Sequence, residues 1–209
     1  MEEYYKKAAK ALSNPKSSSY YIKEAIKELI KPQKSEIFWW IVSVIISVPT
    51  AYIICFSYKT VVLTDTILNI FLGIQLALFG VVFTVFSIIL AFFNDNMLKT
   101  LSRIEMENKD ESYLTKNLSY YEKILFLYFI NIIVTLMGII IVKLTDENFV
   151  LISKTFSDIS AFIVSLLYYL FSLKVLLEIK SMIYNTIMLF RANLSYKFVG
   201  FLQDSDEDK

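Results

Sequence analysis

The sequence from Gly73 to Ala91, GIQLALFGVVFTVFSIILA, lies within the second of four apolar segments. Read with helical periodicity, its small residues form a stripe with alternating steps of four and three: Gly73, Ala77, Gly80, Thr84, Ser87 and Ala91. These steps are the heptad spacing of a left-handed helix–helix interface. In lipid, small side chains favour association because close backbone approach replaces the hydrophobic effect as the driving force. We therefore predict that the other membrane helices pack against this helix.

The composition indicates an integral membrane protein. Of the 209 residues, 56% are hydrophobic, and they are concentrated in four segments that are each about long enough to cross a bilayer as a helix. The sequence predicts an all-α fold, a four-transmembrane-helix bundle with long cytosolic helical extensions. The predicted spans are about Ile37–Tyr58, Ile67–Phe93, Ile124–Leu144 and Asp158–Leu177.

The predicted organisation has five parts. They are cytosolic amphipathic N-terminal helices (1–36), transmembrane helices 1 and 2 (37–93), a cytosolic helical hairpin (94–123), transmembrane helices 3 and 4 (124–178), and a cytosolic C-terminal helix with an acidic tail (179–209). In the first part, Tyr21, Ala25 and Ile26 begin an apolar helix face that continues to Ile30. Such a helix suits either the membrane surface or the cytosolic parts of the chain.

Basic residues predict the orientation. Eight Lys and Arg precede the first span, five lie between the second and third spans, and five follow from Lys174 onward, whereas the other side receives only Lys59, Lys143 and Lys154. The positive-inside rule then places both termini in the cytoplasm.

Smaller features predict helix contacts and helix ends. Two further faces of small residues are Ser43, Ser47, Ala51 and Cys55 in the first span, and Ser157, Ala161, Ser165 and Ser172 in the fourth. Lys59–Thr66 is predicted to be a loop in which Thr64 or Asp65 caps the second span, and Thr155 with Asp158 matches a capping-box pattern.

Four polar residues within or beside the spans are candidate functional residues. A polar side chain in lipid is costly and is usually paired or functional. Gln75 and Asn131 suit either an aqueous path or hydrogen bonds between helices, and Lys174 and Glu178 suit either a mutually paired, snorkelling couple or a pore.

A second candidate surface follows the fourth span. Ile179, Ile183, Ile187 and Phe190 recur at helical spacing beyond the predicted end of the membrane segment. An apolar face of this kind is not stable in water, so we expect it to bind a cytosolic protein partner.

The sequence argues against several function classes. It has no His and one Cys, which leaves neither the usual general base nor a thiolate metal site, and we predict no enzymatic activity, no cofactor and no metal. The net charge of +1 gives no reason to expect direct nucleic-acid binding. The expected partners are membrane lipid, further copies of the chain and a cytosolic protein.

The layout resembles a known group of proteins. A short basic N-terminus precedes one span, GIQLALFGVVFTVFSIILAFF continues into NDNMLKTL, and YYEKILFLYFINIIVTLMGIII returns. This topology is similar to the small four-span proteins of bacterial antiphage loci, such as the membrane subunit of the Kiwa system and the Cas13b-associated membrane accessory protein. The resemblance to the Kiwa subunit implies a homo-oligomer with a cytosolic partner, and the resemblance assigns no functional residue.

Two functions are therefore expected. The first is a non-enzymatic component of the bacterial inner membrane, part of an antiphage defence system, that forms a homo-oligomer and holds a cytosolic partner. The alternative is an oligomeric ion channel or membrane-permeabilising effector, in which Gln75, Asn131 or Lys174 would line a pore.

Overall fold

The chain folds into helices, as its composition predicts. A computed structural model describes residues 17–30, 37–57, 59–92, 113–146, 150 and 153–207. Within these residues it contains no strand and five helices, which we number α1 (Ser18–Ile30), α2 (Ile37–Cys55), α3 (Thr60–Phe92), α4 (Tyr113–Leu144) and α5 (Lys154–Glu207). The all-α prediction is confirmed. Residues 1–16 and 31–36 of the predicted N-terminal part and residues 94–112 of the predicted hairpin lie outside the described residues.

Four of the helices, α2 to α5, are long and apolar enough to cross a membrane by their length and composition. Their outer surfaces are covered with exposed large apolar side chains, for example Ile45, Phe83 and Val164. Such a surface is compatible with lipid and not with water. The chain is therefore a multi-pass membrane protein.

The connection between α2 and α3 is shorter than the sequence suggests. Helix α3 begins at Thr60, so the predicted loop Lys59–Thr66 is wrong and Thr64 and Asp65 are not caps. The Thr64 hydroxyl donates to the Thr60 carbonyl at 2.7 Å, and the Thr66 hydroxyl donates to the Val62 carbonyl at 2.8 Å. Hydroxyls that donate to carbonyls of their own helix in this way are inside the helix and do not accept the free amides at its start, as a cap does.

The start of α5 also differs from the prediction. The helix begins at Lys154, which puts Thr155 inside the first turn and excludes it as the cap. The cap is Ser153, whose hydroxyl accepts the Phe156 amide at 3.3 Å while its carbonyl accepts the Ser157 amide at 2.9 Å. From this cap α5 runs for 54 residues, about 81 Å, whereas the hydrocarbon core of a bilayer is about 30 Å thick. Helix α5 is therefore longer than the hydrocarbon core is thick.

Two helix pairs form the bundle: α2 packs along α5, and α3 packs along α4, with α5 also contacting α3 and α4. The small-residue face predicted for the first span forms the α2 side of the first pair. All four of its members, Ser43, Ser47, Ala51 and Cys55, are buried. The Cys55 thiol donates to the Ser165 hydroxyl of α5 at 3.7 Å, so the two predicted small-residue faces meet.

The small-residue stripe of α3 does not pack inside the chain. Its six members, Gly73, Ala77, Gly80, Thr84, Ser87 and Ala91, are all exposed. A Cβ atom added at either glycine would meet nothing within 4 Å. The prediction that this stripe packs the bundle is therefore wrong for contacts within one chain. The buried line of α3 repeats every seven residues instead: Leu68, Gln75, Val82 and Ile89.

A larger side chain on that line makes a close contact with α4. Leu68 lies against Gly138 of α4, where an added Cβ would come within 3.4 Å of the leucine side chain. The glycine that has a close neighbour is thus on α4, and the neighbour is a leucine side chain.

One apolar core joins the remaining elements. It includes Val82 and Ile89 of α3, several residues of α4, and Val175, Met182 and Leu189 of α5. Helix α1 covers α4, with Ala25 in this core and the Tyr21 ring stacked on Phe126 at 6.0 Å between centroids. Of the two surfaces that suit an amphipathic N-terminal helix, α1 therefore lies on another part of the chain.

Val81 and Val82 test which face of α3 packs inside the bundle. Val82 is fully buried, whereas Val81 is 48% exposed. We expect Val82→Ala to lower the free energy of unfolding in detergent by about 1–2 kcal/mol, because it leaves a cavity, and Val81→Ala to leave that free energy nearly unchanged. Unfolding followed by circular dichroism during SDS titration measures both. Equal losses for the two variants would contradict the assigned face.

Candidate functional site: a buried polar cluster

Three transmembrane helices bring polar side chains together inside the bundle. Gln75 comes from α3, Asn131 and Thr135 come from successive turns of α4, and Tyr168 and Ser172 come from α5. Gln75, Asn131, Thr135 and Ser172 are fully buried. We call these five residues the polar cluster.

The Thr135 hydroxyl is the centre of the polar cluster. Its oxygen lies 2.8 Å from Gln75 Oε1, 2.8 Å from the Asn131 carbonyl and 2.8 Å from the Tyr168 hydroxyl. A hydroxyl has one proton to donate, so it can donate to only one of these groups at a time and can accept the Tyr168 proton. One oxygen thus contacts groups of α3, α4 and α5.

A second bond closes the polar cluster between α4 and α5. The Ser172 hydroxyl donates to Asn131 Oδ1 at 2.9 Å. Gln75 and Asn131, which the sequence identified separately, are therefore joined through Thr135. In this geometry both residues serve as hydrogen-bonding partners between helices.

Each amide in the polar cluster keeps one unsatisfied group. Gln75 Nε2 and Asn131 Nδ2 are buried and have no hydrogen-bond partner in the described part of the chain. Turning either amide by half a rotation would exchange its nitrogen and oxygen and leave the other atom without a partner. Unsatisfied polar groups in an apolar interior are costly, so the polar cluster stabilises the bundle by less than its number of bonds suggests.

Lys174 and Glu178 of α5 lie beside residues of two other helices. Lys174 is only 3% exposed, and its Nζ lies 5.5 Å from the centroid of the Trp40 ring of α2. Glu178 is half-buried and lies close enough to Tyr120 and Tyr128 of α4 to affect both electrostatically. Lys174 therefore contacts α2, whereas Glu178 lies close to α4.

The predicted partner face is divided by the structure. Ile179 packs against the apolar core and Phe190 is half-buried, whereas Ile183 and Ile187 are 51% and 47% exposed. Leu194 and Phe198 continue the exposed apolar surface toward the end of α5. The face available to a partner is therefore narrower and lies farther along the helix than the sequence suggested.

Sequence reasoning missed Thr135, which is the centre of the polar cluster. A threonine in a membrane helix usually satisfies its hydroxyl on its own backbone, as Thr135 also does on Asn131, so the residue type alone gives no signal. Its position one turn after Asn131 was the available indication, because residues four apart share a helix face.

The described residues bring no three His, Cys, Asp or Glu side chains together in a way that could hold a metal ion. No protein-family model matches the chain, and the curated proteins and the solved structures contain no significant match either. Fold and site together define a helical four-span membrane protein with a hydrogen-bonded polar cluster in its interior.

Replacing Thr135 with valine tests the polar cluster. Valine has nearly the same shape and lacks the hydroxyl, so Thr135→Val should lower the free energy of unfolding in detergent by about 1–2 kcal/mol. The matched control is Thr66→Val, since the exposed Thr66 hydroxyl bonds only to its own helix. Unfolding by SDS titration measures both variants, and an unchanged Thr135→Val protein would show that the polar cluster contributes no net stability.

Proposed function

We propose that the chain is a non-enzymatic component of the bacterial inner membrane that forms a homo-oligomer and holds a cytosolic protein through the extension of α5. We propose further, from the resemblance in layout, that it serves in an antiphage defence system. In the proposed orientation both termini are cytoplasmic, which the distribution of Lys and Arg supports.

The observation that carries the proposal is the exposed apolar surface of α5 beyond Lys174. From Lys154 to Lys174 the helix rises about 30 Å, which is the thickness of the hydrocarbon core. Ile183 and Ile187 then lie about 14 and 20 Å past Lys174, beyond the headgroup layer of about 5–8 Å. If Lys154 and Lys174 mark the two edges of the hydrocarbon core, lipid does not cover Ile183 and Ile187.

A protein partner is the occupant that fits this surface. Ile183, Ile187 and Leu194 follow one side of a continuous helix and remain exposed although the adjacent Met182 and Leu189 are buried in the core. A partner protein can cover such a series of side chains with an apolar groove. Each side chain of α5 then lies between two turns of a helix of the partner. The proposed partner is therefore a cytosolic protein with an apolar helix-binding groove.

The outward stripe of α3 supports self-association in the bilayer. The stripe is exposed, and nothing within 4 Å would obstruct a neighbour at Gly73 or Gly80. In lipid such a surface permits close approach of a second helix. The stripe does not pack inside the chain, and it is thus suited to packing two copies together.

The polar cluster favours this proposal over an ion channel. Gln75 and Asn131 are fully buried within one chain and bonded across helices. A pore between copies would need such groups on the outer surface of the bundle. Lys174, the third pore candidate, lies against Trp40.

Leucine at Gly80 tests self-association. We expect Gly80→Leu to reduce the size of the detergent-solubilised assembly, because the side chain would hold neighbouring backbones apart. Light scattering coupled to size-exclusion chromatography measures the mass. Val81→Leu, next to the stripe and also exposed, should leave the mass unchanged. An unaltered assembly in Gly80→Leu would remove the stripe from the interface.

The double substitution Ile183→Ser and Ile187→Ser tests the partner surface. In cells that carry the chain in its native locus, we expect this variant to reach the membrane at the normal level and to lose most protection against phage infection, measured as plating efficiency. Met188→Ser, which alters a neighbouring exposed side chain on another side of the helix, should retain protection. Full protection by the double variant would contradict the proposed surface, and full protection after deletion of the gene would contradict the defence role itself.

A further inference from the structure

The start of α2 and the middle of α5 form a pair of cation–aromatic contacts. Lys174 Nζ lies 5.5 Å from the centroid of the Trp40 ring, and Lys180 Nζ lies 4.7 Å from the centroid of the Trp39 ring. Tryptophan and lysine are the residues that usually mark the boundary between hydrocarbon and headgroups. The contacts place this boundary at the beginning of α2.

A hydrogen-bond donor without a partner lies at this position. Trp40 Nε1 is buried and has no acceptor in the described residues. Lys174, whose side chain contacts the same ring, is only 3% exposed. A buried N–H group without an acceptor is costly, and an anion beside the lysine would supply one.

The nearest carboxylate of α5 lies beside a different helix. Glu178 follows Lys174 by one turn, yet its electrostatic neighbours are Tyr120 and Tyr128 of α4, while Lys174 contacts α2. The N-terminal end of α2 adds the positive end of a helix dipole close to the two tryptophans. Two lysines, the indole N–H of Trp40 and the positive end of the α2 dipole thus supply positive charge and hydrogen-bond donors of the kind that an anion needs.

We propose that Lys174, Lys180 and the Trp40 indole N–H bind a phosphate group, and that the phosphate belongs to an anionic phospholipid. The phosphodiester would accept hydrogen bonds from both lysines and from Trp40 Nε1 at the depth where headgroup phosphates lie. Phe38 and Ile41, at the start of the same helix, are exposed apolar residues that acyl chains can cover, which favours a lipid over soluble phosphate. This site is independent of the proposed partner surface and of the antiphage role.

The only two tryptophans of the chain are Trp39 and Trp40, so fluorescence excited selectively at tryptophan reports on this site alone. The chain is reconstituted in vesicles of phosphatidylcholine with a minority of phosphatidylglycerol, and bromine is placed on the acyl chains of one lipid or the other. Brominated lipid quenches tryptophan on contact. The expected result is that phosphatidylglycerol associates with the tryptophans about fivefold more strongly per basic residue than phosphatidylcholine does.

Three variants test which residues form the site. Lys174→Met should lower the lipid preference about fivefold. Trp40→Phe, which keeps a ring and loses the N–H, should weaken the preference reported by Trp39. Lys154→Met, at the other end of the α5 span, should retain the full preference. Circular dichroism of each variant confirms that it is folded.

Two results would overturn the proposal. Quenching by each lipid in proportion to its share of the vesicle, or a preference that survives Lys174→Met and Trp40→Phe, would show that no specific phosphate site exists here. Loss of the preference on adding inorganic phosphate, but not on adding sodium chloride of the same ionic strength, would assign the site to soluble phosphate and overturn the lipid assignment.

Discussion

The Thr135 hydroxyl joins three of the four transmembrane helices, because it contacts groups of α3, α4 and α5 at one point. In lipid, burying a leucine between helices gains little over leaving it in contact with acyl chains. Relative helix positions are then fixed by directional bonds and by close packing of small residues. The Ser172–Asn131 bond and the small face of α2 complement Thr135 in these two ways.

Directional hydrogen bonds and close packing of small residues hold different parts of the bundle together. Helices α2 and α5 meet through Ser47, Ala51 and Cys55, whose short side chains let the helices approach closely. Helices α3 and α4 meet through larger residues that repeat every seven positions, with Leu68 placed over Gly138. The two pairs are then joined by the polar cluster and by the core around Val82, Val175 and Met182.

Much of this architecture could be predicted from the sequence, since four apolar segments of spanning length admit few alternatives to helices. The helix ends and the orientation of α3 could not. Thr64 and Asp65 resemble caps, yet the Thr64 hydroxyl bonds to its own helix and lets α3 begin earlier. In α3, the small-residue line and the line through Gln75 and Val82 are both compatible with a heptad. Which of them faces inward depends on the side chains of α4, and the sequence of α3 alone does not contain that information.

The polar cluster could be predicted only in part. Gln75 and Asn131 stand out because they are polar residues within apolar segments, whereas Thr135, whose hydroxyl joins them, is an ordinary residue in a membrane helix.

The continuity of α5 has a mechanical consequence. From Lys154 to Val199 it contains neither glycine nor proline, so this length behaves as a stiff rod. Phe198 lies about 36 Å along the helix from Lys174, and a tilt of about 10° about Lys174 would move Phe198 sideways by about 6 Å. A small change in the tilt of α5 within the bundle would thus move Phe198 by a distance as large as a side chain.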